Sequence, residues 1–346
     1  MLKELPLSER FIRFAQYECH DSSELYEFLS RKIAKDQDLL EICKTAKKGQ
    51  PIPNLFFGAV HYLLLKYQNH RLKDYYPSIV TETKPFTESF KPFKEFCLLN
   101  MAEIVRILQT KIVQTNEVRR CAYLYPVFSL IYEKTNKPLA LLEIGTSSGL
   151  LLLWDQYSYS YNEKDIVGNP DANFVITSKN IGPDPLPVQP TSPPVSARIG
   201  FDLNPINLKD SEAYLWLKAL IWPEHQERLS MFEKAAEIVT NHPIHLIHGD
   251  GIVLLDDYIH KIPKEQIPVI FHTHVANQLA PETKNLLLNK INSIGKGRDV
   301  FHLYNNIRDR YLHLEAYLDG TEYKQIIADT DGHGRWFKWY PNGLNL

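Results

Sequence analysis

Helical hydrophobic patterns dominate the chain up to residue 134. The stretch 54–67 is apolar nearly all round, which is typical of a helix that is buried on every side. Residues 21–24 read Asp-Ser-Ser-Glu and have the order of an N-terminal helix cap. Because no convincing strand pattern occurs in this part, residues 1–136 predict an all-helical N-terminal domain.

Short apolar runs alternate with amphipathic stretches after residue 137. The runs predict strands at 138–145, 195–203, 244–249, 268–272 and 299–304. The stretches between them predict helices at 149–156, 209–220, 224–240, 252–261 and 281–294. Such alternation is typical of a parallel sheet that helices cover on both faces. Asp-Gly pairs separate three last runs, which predict an antiparallel tail at 312–319, 323–328 and 335–340.

Together these elements predict an α/β fold. Residues 137–346 are expected to form a Rossmann-like methyltransferase sheet, mostly parallel and ending in a C-terminal antiparallel hairpin, after the helical domain. One segment interrupts the alternation, because residues 158–195 hold seven of the chain's 22 prolines. We predict a proline-rich insertion there rather than another strand–helix unit.

Composition and charge narrow the function classes. The 346 residues include 39 Lys and Arg against 41 Asp and Glu, a formal charge of −2 with no basic block, so no nucleic-acid partner is expected. The longest apolar runs fall far short of the ~20 residues that cross a bilayer, and residues 1–14 show no secretory signal. We therefore expect a cytoplasmic protein that acts on a small molecule and has no membrane partner.

The most informative turn follows the first predicted strand. There the sequence Glu143-Ile-Gly145-Thr-Ser147-Ser-Gly149 links the strand to an apolar stretch. Ligands of an open parallel sheet bind at the carboxyl ends of its strands, and a glycine without a Cβ lets a ligand approach the backbone. A dinucleotide fingerprint needs glycine where this chain has Ser147 and Leu150, so NAD is not expected.

The same spacing resembles the first motif of S-adenosylmethionine-dependent methyltransferases, in which an acid and glycines surround the methionine end of the methyl donor. The resemblance implies S-adenosylmethionine as the cofactor, with Glu143, Gly145, Ser147 and Gly149 in its binding site. Glu143 can attract the ammonium group, and backbone N–H groups after Ser147 can receive the carboxylate. The alternative is a tight turn that only packs a helix against the sheet.

Two later acids and two histidines extend this prediction. Asp202 ends the second predicted strand, where a carboxylate can accept from ribose hydroxyls, and Asp250 ends the third, where it can accept from the adenine amino group. Each acid is equally suited to cap a helix. His272 and His274 lie two apart near the end of the fourth strand and are candidates for the general base or a substrate anchor. No metal site is predicted, because no third ligand has a suitable spacing.

A serine hydrolase is the main alternative. Residues 145–149 match the G-x-S-x-G nucleophile elbow, with Ser147 as nucleophile, Asp250 or Asp256 as the acid and His333 as the base. The long helical region before the first strand and the lack of an HGGG segment argue against this alternative. A non-catalytic ligand-binding or scaffold protein is the other alternative, and it predicts a filled first turn.

Stretches over nearly the whole chain resemble a bacterial family catalogued as domain of unknown function 2332. The matching stretches are 54–65, 114–121, 138–159, 198–210, 216–229 and 333–339. The resemblance implies no activity, but it implies that the helical and sheet parts belong together. The sequence thus predicts an S-adenosylmethionine-dependent methyltransferase with an unknown, small-molecule acceptor.

Overall fold

The computed structural model of the protein describes residues 5–67 and 69–340. In this part of the chain the α-helices are α1 (Leu7–Phe14), α2 (Glu24–Ile33), α3 (Gln37–Cys43), α4 (Ile52–Tyr67), α5 (Phe90–Leu99), α6 (Met101–Thr110), α7 (Cys121–Thr135), α8 (Ser211–Ala219), α9 (Gln226–Asn241), α10 (Gly251–Ile259) and α11 (Pro281–Gly295). Shorter 3-10 helices lie at Arg71–Tyr75, Phe86–Glu88, Val118–Arg120, Leu150–Gln156 and Val275–Gln278, and a π-helical turn at Ala15–Cys19.

The strands all follow residue 138 in the described part of the chain. They are β1 (Leu139–Ile144), β2 (Ser158–Tyr161), β3 (Ile166–Gly168), β4 (Val175–Asn180), β5 (Val195–Asp202), β6 (His245–His248), β7 (Ile267–His272), β8 (Val300–Tyr304), β9 (Leu312–Leu318), β10 (Thr321–Thr330) and β11 (Trp336–Trp339). The strands β1 and β5 to β11 lie where the apolar runs predict them. The structure therefore confirms the predicted α/β class.

The chain divides into two compact units that differ from the predicted domains in their boundaries. The first unit comprises the described residues up to Thr115 together with Lys209–Ser230, and the second comprises Asn116–Leu208 and the described residues from Met231. The predicted boundary at residue 136 places α7 in the helical domain and the segment 209–230 in the sheet domain, whereas the structure places α7 in the second unit and residues 209–230 in the first. Side-chain contacts explain the second difference, because Trp216 donates from Nε1 to the Ile112 carbonyl at 2.9 Å and Glu212 accepts from Lys66 Nζ at 2.9 Å.

Aromatic packing around α4 forms the core of the first unit. This helix buries residues on every side, as its continuous apolar pattern predicts. Tyr26 of α2 stacks on Phe57 of α4 with ring centroids 4.1 Å apart. The predicted cap is also present, because Ser23 Oγ accepts from the Tyr26 N–H at 3.1 Å at the start of α2.

The second unit contains one sheet of eleven described strands. Its order is β3-β2-β4-β11-β10-β9-β8-β7-β1-β5-β6. The five strands β6, β5, β1, β7 and β8 are parallel, with Glu143 of β1 opposite Gly200 of β5 and Phe271 of β7. In chain order these five strands are arranged 3-2-1-4-5, the order of an open sheet that is wound in both directions from its first strand.

Apolar layers cover both faces of the parallel strands. On one face, Leu255 of α10 and Leu287 and Ile291 of α11 pack with Leu142 of β1 in a buried cluster. On the other face, Phe128 of α7 lies 5.5 Å from the Phe271 ring. Alternate residues of β1 and β7 are therefore buried on opposite sides, which is why these strands read as continuous apolar runs.

The proline-rich segment contains strands that the apolar pattern does not predict. Residues 158–195 contain β2, β3 and β4, which join the far end of the sheet through parallel pairing of β4 with β11. The prolines lie mostly after β4, in residues 181–194, so they do not interrupt these strands. The segment is an insertion between β1 and β5 that extends the sheet at its other end.

Candidate functional site

The carboxyl ends of β1 and β7 form the candidate site. These two strands are neighbours, but the chain continues from β1 to β5 on one side and from β7 to β8 on the other. Within the parallel strands the order reverses at this point, which is where ligands of open parallel sheets bind, although here the chain passes through β2 to β4 at the far end of the sheet before it reaches β5. We call the space between the ends of β1 and β7 the switch-point crevice.

The turn after β1 brings bare backbone to this crevice. Gly145 has a φ of +76° and is exposed, while its N–H donates to the Phe201 carbonyl of β5 at 2.7 Å. A Cβ at this position would lie 2.3 Å from Cγ2 of Val275, which follows β7. Both the left-handed conformation and the close approach of Val275 therefore require glycine.

Glu143 places a buried carboxyl group at the end of β1. It is 3% exposed, and burial raises its pKa to about 8, although the Thr146 hydroxyl donates to it at 2.6 Å. The Asp202 carboxylate also raises this pKa, and the Arg120 guanidinium acts in the opposite direction. A cation bound beside Glu143 stabilises the carboxylate form, so this group is suited to receive an ammonium.

Ser147 is held by the protein itself. It has a φ of +50°, its N–H donates to Asp202 Oδ2 at 2.8 Å, and its carbonyl accepts from the Ile206 N–H at 2.9 Å. The Asn116 amide donates to Ser147 Oγ at 3.1 Å and accepts from Ser148 Oγ at 2.6 Å. The Ser147 N–H is thus engaged by Asp202, and of the later N–H groups, which the sequence assigns to a ligand carboxylate, that of Gly149 donates to the Thr146 carbonyl at 2.9 Å. Gly149 closes the turn with a φ of +80°.

The two later acids cap their own turns. Besides Ser147, the half-buried Asp202 binds the Asn204 N–H, which donates to its Oδ1 at 2.7 Å. Asp250 is exposed at the start of α10 and accepts from the Ile252 N–H at 2.8 Å. Both carboxylates lie at the predicted strand ends. Each keeps lone pairs that its backbone N–H contacts do not use.

The two candidate histidines lie in different surroundings. His272 is 1% exposed, its Nε2 lies 3.3 Å from Nε2 of His302 on β8, and burial lowers its pKa to about 3. His274 is partly buried after the strand with a φ of +61°, and its N–H donates to Asn305 Oδ1 at 2.7 Å. Burial, with the Arg120 charge as a second cause, lowers the pKa of His274 to about 4. His272 therefore belongs to the sheet interior, and His274 lies at the crevice.

Arg120 is a candidate site residue that the sequence-based prediction of the site does not include. It is 8% exposed at the end of the 3-10 helix Val118–Arg120, where Nε donates to the Gly332 carbonyl at 3.0 Å and Nη1 to Thr273 Oγ1 at 3.3 Å. Across residues 5–67 and 69–340, no carboxylate forms an ion pair with it. A buried guanidinium without a counter-ion is costly unless an anion completes it. The sequence feature that could have pointed to Arg120 is its position directly before the apolar helix α7.

The groups of the hydrolase alternative have other partners. Ser147 Oγ accepts from the Asn116 amide, and His333 Nδ1 lies 2.9 Å from the Glu117 carboxylate. Asp250 caps α10 and Asp256 pairs with Lys290. These contacts connect neither the serine nor either acid to the histidine, so the Ser-acid-His chain of hydrogen bonds is not formed.

Comparison with known families places the chain. A family model described as an uncharacterized protein conserved in bacteria, domain of unknown function 2332, matches residues 8–339. The chain belongs to this family. In this member of the family, the matched range includes the first unit, the β1 turn and the whole sheet, in agreement with the resemblance that the sequence shows. Neither a curated protein nor a solved structure matches it.

Two further observations concern residues 5–67 and 69–340. None of their helices has the length and apolar character needed to span a membrane. No group of three or more His, Cys, Asp or Glu side chains among them is arranged to hold a metal ion.

Proposed function

We propose that this protein binds S-adenosylmethionine in the switch-point crevice and is a methyltransferase with a small-molecule acceptor. The observation that carries the proposal is the pair of buried ionisable groups at this crevice, the Glu143 carboxyl at the end of β1 and the Arg120 guanidinium beside Thr273 after β7. The 3-2-1-4-5 strand order and the exposed Gly145 support it. In this proposal the sheet is a Rossmann-like methyltransferase sheet.

The amino-acid end of the ligand would use these charges. Its ammonium pairs with Glu143, which ionises when a cation is close. Its carboxylate pairs with Arg120, whose Nη2 has no hydrogen-bond partner among the described residues. A guanidinium binds a carboxylate in a planar, charge-assisted geometry, so Arg120 takes the place that the sequence assigns to backbone N–H groups.

The nucleoside end would lie toward β5 and β6. The open lone pairs of Asp202 accept from the ribose hydroxyls, and Asp250 accepts from the adenine amino group. When bound, S-adenosylmethionine supplies a methyl group on a positively charged sulfur. The chain positions donor and acceptor, and His274, neutral at physiological pH, offers a polar contact at the crevice.

The acceptor is expected to be small because of the charge distribution. A net charge of −2 with Lys and Arg dispersed along the sequence offers no basic surface for a polyanion. The buried charges at the crevice instead suit a compact ligand with few polar groups.

Calorimetric titration of the full-length protein tests the proposal. S-adenosylmethionine and S-adenosylhomocysteine are expected to bind with one site per chain, whereas NAD is not, because the turn lacks the dinucleotide glycines. Folded protein that binds neither sulfur compound contradicts the proposal and favours the scaffold alternative.

The hydrolase alternative has one favourable observation, the left-handed conformation of Ser147 in a strand–turn–helix segment. Because Ser147 Oγ lies against Asn116, we expect no labelling by a fluorophosphonate probe. Labelling of the wild type that disappears in Ser147→Ala would show that the serine is an activated nucleophile after all.

A further inference from the structure

Glu117 and His333 form a carboxylate–imidazole pair next to the switch-point crevice. Glu117 is 4% exposed, and its Oε2 lies 2.9 Å from His333 Nδ1. Its other oxygen accepts from the Arg119 N–H at 3.2 Å, at the start of the 3-10 helix Val118–Arg120. A carboxylate can only accept, so His333 donates from Nδ1, and Nε2 is the acceptor nitrogen of the neutral ring.

The backbone next to His333 ties this pair to the crevice. Gly332, its neighbour in sequence, accepts from Arg120 Nε at 3.0 Å. A Cβ on Gly332 would lie 3.6 Å from Cε1 of His274, so the turn before His333 touches both Arg120 and the residue after β7. The pair is therefore next to the groups that we propose for the amino-acid end of the donor.

His333 differs from the two histidines that the sequence singled out. His272 is enclosed by the sheet, and His274 is held between Asn305 and Asn306. The His333 side chain is 46% exposed, and its Nε2 has no hydrogen-bond partner among the described residues. Of these three side chains, His333 combines an oriented ring with an open nitrogen, which is the arrangement of a general base.

We propose that His333 is the catalytic base of this site, that Glu117 is its positioning residue, and that the methyl acceptor is a hydroxyl, phenol or amine whose nucleophilic atom carries a proton. This inference rests on the proposed function. The proton passes from the acceptor to His333 Nε2, and the electron pair of the acceptor forms the bond to the methyl carbon. The carbon–sulfur electron pair stays on sulfur, and the exposed imidazolium beside Glu117 releases its proton to water.

Side-chain nitrogen NMR of the full-length protein tests this assignment without knowledge of the acceptor. In protein labelled with ¹⁵N at histidine, we expect His333 to be the Nδ1–H tautomer, with its signals assigned from His333→Gln. Glu117→Leu removes the carboxylate that accepts the hydrogen bond from His333 Nδ1, and it is expected to shift His333 to the Nε2–H tautomer. Glu117→Gln, which keeps an oxygen at this position, is the matched control and is expected to retain the wild-type tautomer.

The second part of this NMR experiment compares His333 in the complexes with S-adenosylmethionine and with S-adenosylhomocysteine. S-adenosylmethionine and S-adenosylhomocysteine differ by one methyl group and one positive charge, so a base next to the reacting atoms senses the difference. We expect the His333 Nε2 signal to differ between the two complexes, and the signal of His260, exposed after α10, to be the same in both.

Each outcome decides between the two proposals. An Nε2–H tautomer in the wild type, or an equal response of His333 to both ligands, overturns the role of His333 and leaves the proposed function standing. Failure of both ligands to bind overturns the proposed function, and the assignment of His333 as a methyl-transfer base falls with it.

Discussion

Two buried polar clusters lie at the ends of neighbouring strands in this sheet, and they differ in what completes them. At the switch-point crevice, Glu143 and Arg120 are ionisable groups of opposite sign, and Arg120 forms no ion pair with a carboxylate among the residues that the structure describes. In the sheet interior, His272 and His302 complete each other through their Nε2 atoms. The first cluster is suited to a ligand, whereas the second is satisfied by the fold alone except at the two Nδ1 atoms.

The comparison shows why residue type alone is a weak guide to function. A histidine near the end of a strand suggests catalysis, but burial makes His272 neutral and inaccessible. An arginine before a helix suggests a solvated surface, but burial without a counter-ion makes Arg120 a ligand-binding candidate. The variants below separate these two roles, because each cluster predicts a different balance between stability and binding.

The largest effect is expected from His272→Ala. This change leaves a cavity in the sheet and removes the partner of His302 Nε2, so it is expected to lower the free energy of unfolding by about 4 kcal/mol. Denaturant titration measures the loss, and calorimetry of the folded variant is expected to show wild-type affinity for S-adenosylhomocysteine. Weakened binding without destabilisation would instead assign His272 to the site.

The pH dependence of stability is expected to show an effect of similar size. Because the folded pKa of Glu143 is about 8, the native state keeps a proton that the unfolded chain loses near 4.5. Stability therefore falls as pH rises from about 4.5 to about 8, by ~1.4 kcal/mol for each unit of pKa difference at most. Urea denaturation of Glu143→Gln across this range is expected to give a flatter profile than the wild type. Equal slopes would contradict a buried, protonated Glu143.

Arg120→Met is expected to separate binding from stability. The apolar side chain removes an unpaired buried charge, so the unliganded protein is expected to become no less stable, while affinity for S-adenosylhomocysteine falls by about 1.5 to 3 kcal/mol, roughly 10- to 100-fold. Methylthioadenosine lacks the carboxylate and is expected to bind the variant and the wild type equally well in calorimetry.

Arg198→Met is the matched control for this prediction. Arg198 is half-buried and pairs with the buried Asp155, so its replacement leaves a carboxylate without its cation and is expected to lower the melting temperature without a specific effect on the carboxylate ligand. If Arg120→Met lowered the affinity for S-adenosylhomocysteine and for methylthioadenosine equally, Arg120 would lie outside the carboxylate site.

The smallest effect is expected from Asp202→Ala. Loss of the ribose contacts is expected to weaken the binding of methylthioadenosine by about 1 kcal/mol, roughly fivefold in affinity, in the same calorimetric assay. An unchanged affinity in a variant that melts at a lower temperature would show that Asp202 only holds the backbone of Ser147 and Asn204.

Much of the fold could be predicted because local pattern and tertiary environment agree there. The strands β1 and β5 to β11 are apolar runs between turn signals, and the Asp-Gly pair at 319–320 joins β9 to β10. The strands β2 to β4 could not be predicted in the same way. Their short segments are mixed in polarity, and β4 is defined by pairing with β11, which lies far along the sequence.

The candidate site could be predicted only in part for the same reason. The turn from Glu143 to Gly149 carries its conformation in its own glycines, so its position is readable from the sequence. The importance of Arg120 depends on the absence of a counter-ion, and that of His333 depends on Glu117, 216 residues away. No local pattern encodes such long-range pairings, so these residues emerge only from the folded arrangement.

The long excursion between β1 and β5 has a consequence for how the protein folds. Leu139 pairs with Val195, whereas β2 to β4, which lie between them in sequence, join the sheet through the pairing of β4 with β11, more than 150 residues further along the chain. Closing contacts over such separations is entropically slow. A nascent chain therefore cannot complete this part of the sheet until β11 has emerged from the ribosome, which makes its assembly later than that of the parallel strands.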